Sequence, residues 1–171
     1  MTDAFVDFTD NAQIWIHGFA NSLTDADRQF IEEKLNTFLP SWNSHGTPVR
    51  ASFQIIENRF LVTVAECPGG ISGCSVDSFF RVLKEIAGSS ELNPLETDLV
   101  YFRDKDGKIQ AQRHLDFFNT VESGAVTPDT HVFDTLLTNL SDFRQGRFER
   151  CFSESWHARS YPLPQSPATS Y

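Results

Sequence analysis

Cys67 to Ser78, read as CPGGISGCSVDS, holds the residues best suited to chemistry in this chain of 171 residues. It follows an apolar run, Phe60 to Ala65, with the composition of a strand, and leads into a helical pattern. Gly69, Gly70 and Gly73 allow a tight loop, which places Cys74 on the first turn of the following helix. A thiol there meets free N–H groups and the positive end of the helix dipole, both of which favour the thiolate. The expected chemistry is a nucleophilic or redox-active cysteine. The plainer alternative is a small buried residue, since free cysteine is among the most buried residue types. Asp77, one turn on, opposes a thiolate electrostatically but also suits a helix start.

The same loop offers an anion site through backbone N–H groups from Gly73 to Ser75. It is not a Walker A loop, because GGISGCS lacks both the G-x-x-x-x-G spacing and the phosphate-binding Lys. His45 (in SHG) and His157 (in SWH) lie in short polar segments, and either imidazole could serve Cys74 as a base. Each has a structural alternative, a surface or backbone-bonded histidine. Cys74, His45 and His157 lack the paired spacing of a zinc site, so no metal and no cofactor is expected. His17, His114 and His131 are given no role. Trp15, Trp42 and Trp156 read as core residues. Arg50, Arg59, Arg103 and Arg159 would form an anion site only if the fold brings them together.

The elements that must position these residues follow in order. Gln13 to Phe19 reads as a first strand. Thr24 and Asp27 cap a helix whose apolar stripe runs through Phe30, Ile31, Leu35, Phe38, Leu39 and Trp42, with Pro40 ending it near Leu39. Ser41 to Pro48 is turn-rich. Val49 to Glu57 and Arg59 to Glu66 form a hairpin around Asn58. The second helix carries Val76, Phe79, Phe80, Leu83, Ile86 and Ala87 on one face and is closed by Gly88. A loop, Ser89 to Thr97, precedes a fourth strand, Asp98 to Phe102, and Asp106-Gly107 then turns the chain into Lys108 to Gln112.

The order β-α-β-β-α-β predicts an α+β protein with a ferredoxin-like sheet layered by two helices. Residues 1–112 form this core, 113–160 an irregular C-terminal extension, and 161–171 an extended or disordered tail. The extension holds a short helix, Leu115 to Val121, stopped by Gly124. Strands Thr130 to Leu137 and Arg147 to Phe152 flank a helical turn, Ser141 to Gln145.

Composition narrows the partners. Hydrophobic residues make up 40%, including 16 Phe, enough for a substantial core. A formal charge of −9 opposes nucleic-acid binding, which needs cations for the phosphates. No apolar run reaches the ~18–20 residues of a membrane span, and the acidic N-terminus is unlike a signal peptide. A soluble, cytoplasmic protein is expected. Three cysteines, Cys67, Cys74 and Cys151, point to free thiols, with a redox bridge between Cys67 and Cys74 as the alternative.

Across about Gln13 to Arg159, the chain resembles a family of short bacterial proteins common among Bacteroidetes. The likeness lies in Trp15-Ile16, Ser44-His45-Gly46, Arg59-Phe60-Leu61-Val62, Ser72-Gly73-Cys74-Ser75-Val76-Asp77 and Ser155-Trp156-His157. Members often carry the label "ABC transporter ATPase", which the absence of a Walker A Lys and of an LSGGQ-like signature contradicts here. The resemblance implies the same site residues, His45, Cys74, Asp77 and His157, and no activity. Two expectations stand. In one, Cys74 centres a thiol or anion site with a histidine base. In the other, the chain is a non-enzymatic module binding a protein or small molecule, and SGCSVD and SWH are structural locks. A histidine nitrogen bonded to Cys74 separates them.

Overall fold

The computed structural model describes residues 5–89 and 91–164. The first residues of the opening segment and the end of the expected tail lie outside that range. The described residues form an α+β structure with five α-helices and three small sheets. They divide into two compact units, one drawn from Met1–Thr97 and Thr135–Gln145, the other from Asp98–Asp134 and Gly146–Tyr171.

In the first unit, β1 (Gln13–Gly18) leads to α1 (Asp25–Phe38), and a 3-10 turn (Leu39–Ser41) follows at Pro40. A small hairpin, β2 (Asn43–Ser44) and β3 (Thr47–Pro48), then precedes β4 (Arg50–Ile56) and β5 (Phe60–Glu66). The last large element is α2 (Gly73–Ser89). Thr24 and Asp27 form the expected capping box in both directions, Thr24 Oγ1 accepting from Asp27 N–H at 3.2 Å and Asp27 Oδ2 accepting from Thr24 N–H at 2.8 Å. The Thr24 hydroxyl and N–H bonds hold the Asp27 carboxyl below its usual pKa.

The sheet order is β1-β5-β4, all neighbours antiparallel, so β1 and β4 run parallel with β5 between them. This is the split βαβ half of the expected topology. Strand β5 is central because both of its faces are apolar, and Phe60 through Ala65 are all fully buried. On one face Leu61 and Ala65 meet Ile31 and Leu35 of α1 and Phe79, Leu83 and Ile86 of α2.

The strand expected over Asp98 to Phe102 does not join this three-stranded sheet. Residues 98–102 build a different sheet in the second unit. The outer edge of β1 is instead met by 138–140, through a single antiparallel bridge between Gln13 and Asn139. There Leu140 N–H donates to Ala12 C=O at 3.0 Å and Ile14 N–H to Thr138 C=O at 3.2 Å. The first compact unit runs to Thr97 and also takes in Thr135–Gln145. The physical reason is long-range. Arg144 bonds the carbonyls of Phe5 and Phe8 and the carboxylate of Asp10, and Leu140 is fully buried.

The second unit contains β6 (Leu99–Arg103), β7 (Ile109–Arg113), α3 (His114–Glu122), β8 (His131–Phe133), β9 (Glu149–Cys151) and the short α5 (His157–Ser160). α4 (Leu140–Arg144) lies between β8 and β9 in sequence but belongs to the first unit. The sheet order is β7-β6-β8-β9, antiparallel throughout. Phe102, Phe117, Val121, Val132, Phe152 and Tyr161 are buried together in its core.

Three local expectations change. Gly88 lies inside α2 rather than capping it. The strand expected over Thr130 to Leu137 is only His131–Phe133, because the chain then leaves for the first unit. Trp42 is not on the α1 stripe; it follows the 3-10 turn and is buried under α2, its ring 5.5 Å from that of Phe79. No helix among the described residues is long and apolar enough to cross a membrane.

Candidate functional site at the glycine loop

The SHG segment is a tight turn. His45 and Gly46 both have positive φ, 50° and 81°, between the paired residues Ser44 and Thr47, which is the pattern of a type I′ hairpin turn. Histidine tolerates this region better than most side chains. The turn leaves His45 exposed.

Beside it, three serines bind the hairpin to the start of α2. Ser44 is buried, and its hydroxyl donates to Gly70 C=O at 3.2 Å while accepting from Ser72 N–H at 3.0 Å. Ser72 caps α2: its Oγ accepts from Ser75 N–H at 3.2 Å, and its carbonyl accepts from Val76 N–H at 3.0 Å. The Ser75 hydroxyl donates to Asn43 C=O at 2.8 Å, so the 2.7 Å contact between the two hydroxyls is a donation from Ser72 to Ser75. Trp42 Nε1 closes the set by donating to Ser75 C=O at 2.9 Å. Aligned donors of this kind reinforce one another in a protein interior.

Cys74 stands on the first turn of α2 and is exposed, as is Asp77. Neither the Cys74 thiol nor the His45 ring hydrogen-bonds another described residue. Ser75 N–H, one of the groups expected to hold an anion, is committed to Ser72; those of Gly73 and Cys74 have no acceptor among the described residues. The fold thus ties the segments carrying His45 and Cys74 together through their serine neighbours, without a bond between the two.

His157 lies in the second unit and is buried. The Ser155 hydroxyl donates to Phe152 C=O at 3.0 Å, which makes His157 Nδ1 the donor to Ser155 Oγ at 3.1 Å. Burial, with a smaller contribution from His114, lowers its pKa to about 4. His114, given no role from sequence, shares a very short hydrogen bond with Tyr161 and stacks on its ring. The four arginines divide between the two units, Arg50 and Arg59 in the first and Arg103 and Arg159 in the second. Arg50 pairs with Glu66, Arg59 bonds the Phe19 and Ala20 carbonyls, and Arg103 pairs with Glu149. All three cysteines are free thiols. Among the described residues no group of three or more His, Cys, Asp or Glu side chains is arranged to hold a metal ion.

Sequence reasoning missed two features. One is His17, whose Nδ1–H donates to Pro94 C=O at 2.9 Å and whose Nε2 is buried without a partner among the described residues. Its ring packs between Phe79 and Phe80, and burial lowers its pKa to about 4. Alternation in QIWIHGF already placed it on the face of Trp15, the only available signal.

The other is a cleft of about 620 Å³ lined in part by the loop but by neither Cys74 nor His45. Pro48, Ala65, Cys67, Pro68 and Ile71 give it an apolar wall, and Asn11, Gln13, Arg50 and Glu66 supply polar groups. Arg50 lies 3.1 Å from Glu66, whose carboxylate also accepts from Thr9 N–H and hydroxyl. Only the joining of β1, β4 and β5 at one end brings these residues together.

The chain matches no protein-family model, no curated protein and no solved structure.

Proposed function

We propose that the protein is a non-enzymatic binding module whose ligand site is the cleft beside the glycine loop. The observation that carries this reading is the serine lock: Ser44, Ser72 and Ser75 spend their hydroxyls on backbone groups, holding the loop that walls the cleft. SGCSVD and SWH are then structural segments, and His45 owes its place to a turn. A site of this size with an apolar wall and a few polar groups suits a small molecule with an apolar body and hydrogen-bonding substituents. Free thiols and the acidic charge support a cytoplasmic location. The shared SGCS(I/V)D and SWH segments support membership of the short bacterial family described above.

The test is an amide NMR screen with small amphipathic carboxylic acids and amides. Binders should shift residues 65–71 and 11–13, and Gln13→Ala should weaken them. Perturbations confined to other surfaces, or none, would sink the reading.

A second reading, a thiol and anion site at Cys74 with Gly73 and Ser75, is favoured by the exposure of Cys74 and by the unclaimed N–H groups of Gly73 and Cys74. Here His45 is the candidate base, Asp77 flanks the thiol, and His157 takes no part. Alkylation of Cys74 persisting well below pH ~8.5, and slowed by His45→Ala, would favour this reading.

A further inference from the structure

We propose that β4 is a self-association edge, through which two copies of the chain join their sheets by antiparallel pairing centred on Phe53. In an antiparallel ladder the N–H and C=O of one residue face the same way. Ile56 C=O accepts from Arg59 N–H, so the even-numbered residues of β4 face β5. The odd-numbered ones face outward. Val49 shows where that side leads, because its N–H donates to Trp42 C=O at 3.0 Å. Beyond Val49 the chain holding Trp42 turns away into the Leu39–Ser41 turn, and among the described residues β5 is the only strand paired with β4. The backbone groups of Ala51, Phe53 and Ile55 therefore have no partner among the described residues.

Proteins usually guard such an edge with charges, proline or a bulge. Residues 51–56, ASFQII, contain no charge and no proline, and the pairing with β5 runs through seven residues without a break. The one cation, Arg50, is folded back onto Glu66, the Asp7 carbonyl and the Phe8 ring. A groove of about 570 Å³ runs beside the strand, walled by Leu39, Pro40 and Val49.

The occupant is a second copy because residues 51–55 of the strand, ASFQI, are a binary palindrome. With Phe53 on the two-fold axis, Phe53 faces Phe53, Ala51 faces Ile55 of the second copy, and Ser52 faces Gln54. Apolar meets apolar on the helix-covered face and polar meets polar on the other, while all three outward residues gain partners. A foreign strand would require none of this symmetry. A single seven-residue edge is small beside the ~1,200 Å² of stable complexes, so association is weak and concentration-dependent.

Sedimentation equilibrium of the full chain should give a mass rising with concentration towards twice 19.4 kDa. Hydrogen exchange at Ala51, Phe53 and Ile55 should slow in step, with Ser52 and Gln54 protected throughout. Ser52→Lys with Gln54→Lys opposes like charges in this register and should hold the mass at one chain. Ser52→Lys with Gln54→Glu opposes unlike charges and should restore pairing. A wild-type mass that stays at one chain at every concentration overturns the proposal, as does loss of pairing in both double variants with the fold intact by circular dichroism.

Discussion

At the start of α2 three serine hydroxyls close onto backbone groups and leave Cys74 and His45 in solvent; at Ser155-Trp156-His157 one hydroxyl holds an imidazole inside the protein. The bonds are alike, with distances of 2.7–3.2 Å at the first place and 3.0–3.2 Å at the second. What differs is the neighbour. Beside Ser44 and Ser75 the chain is turning at a surface, so the residues carried along emerge. After Ser155 it enters a core of Phe117, Phe152 and Tyr161, so His157 is drawn in. A serine-flanked histidine or cysteine in sequence therefore marks a locked turn, and only packing decides whether its reactive atom reaches solvent.

The largest effect expected from breaking this comparison is at Trp42. Trp42→Ala removes the ring over Phe79 and the indole bond to Ser75, and should destabilise the first unit by ~3–5 kcal/mol in urea unfolding. A loss under 1 kcal/mol, on the order of a surface change, would show that the lock does not depend on the core beneath it.

Acid comes next. His17 and His157 have folded pKa values of about 4 against 6.5 for the free side chain. The unfolded chain takes up these protons first as pH falls, so stability is unaffected above pH 6.5, drops between 6.5 and 4, and levels below. Each histidine contributes roughly 3 kcal/mol to that loss. His17→Phe should flatten the acid limb of the first unit, read by hydrogen exchange, and leave that of the second unchanged. An unchanged acid limb would contradict the burial of His17.

Smaller, and sharper as a comparison, are Ser75→Ala and Ser155→Ala, each expected to cost about 1–3 kcal/mol by leaving buried bonding groups unmatched. Ser155→Ala alone should also move the acid transition, because it removes the partner of His157 Nδ1; titration followed by imidazole NMR reads this directly. The smallest effect is at Cys74→Ser, within about 0.5 kcal/mol of wild type, as befits an exposed helix-start position. Native-state alkylation should accordingly reach Cys74 before the half-buried Cys67 and Cys151, and mass spectrometry of timed samples would reveal the opposite order if the lock covered Cys74.

Sequence by itself determined the local structure of this protein. The Thr24–Asp27 capping box, the break at Pro40, the turn at His45-Gly46, the β4–β5 hairpin and the glycine loop before α2 depend on torsional preference and short-range bonding, which a few adjacent residues settle. The placement of Cys74 on the first turn of α2 was legible for the same reason. Tertiary structure alone decided that residues 98–102 join a second sheet and that 135–145 return to the first unit. It also decided that His157 is enclosed and that Cys67, Arg50, Glu66 and Gln13 share a cleft. These outcomes depend on contacts between residues far apart in the chain, such as Arg144 with Phe5 and Phe8, and on burial competed for by the whole apolar surface. No local pattern encodes the winner of that competition.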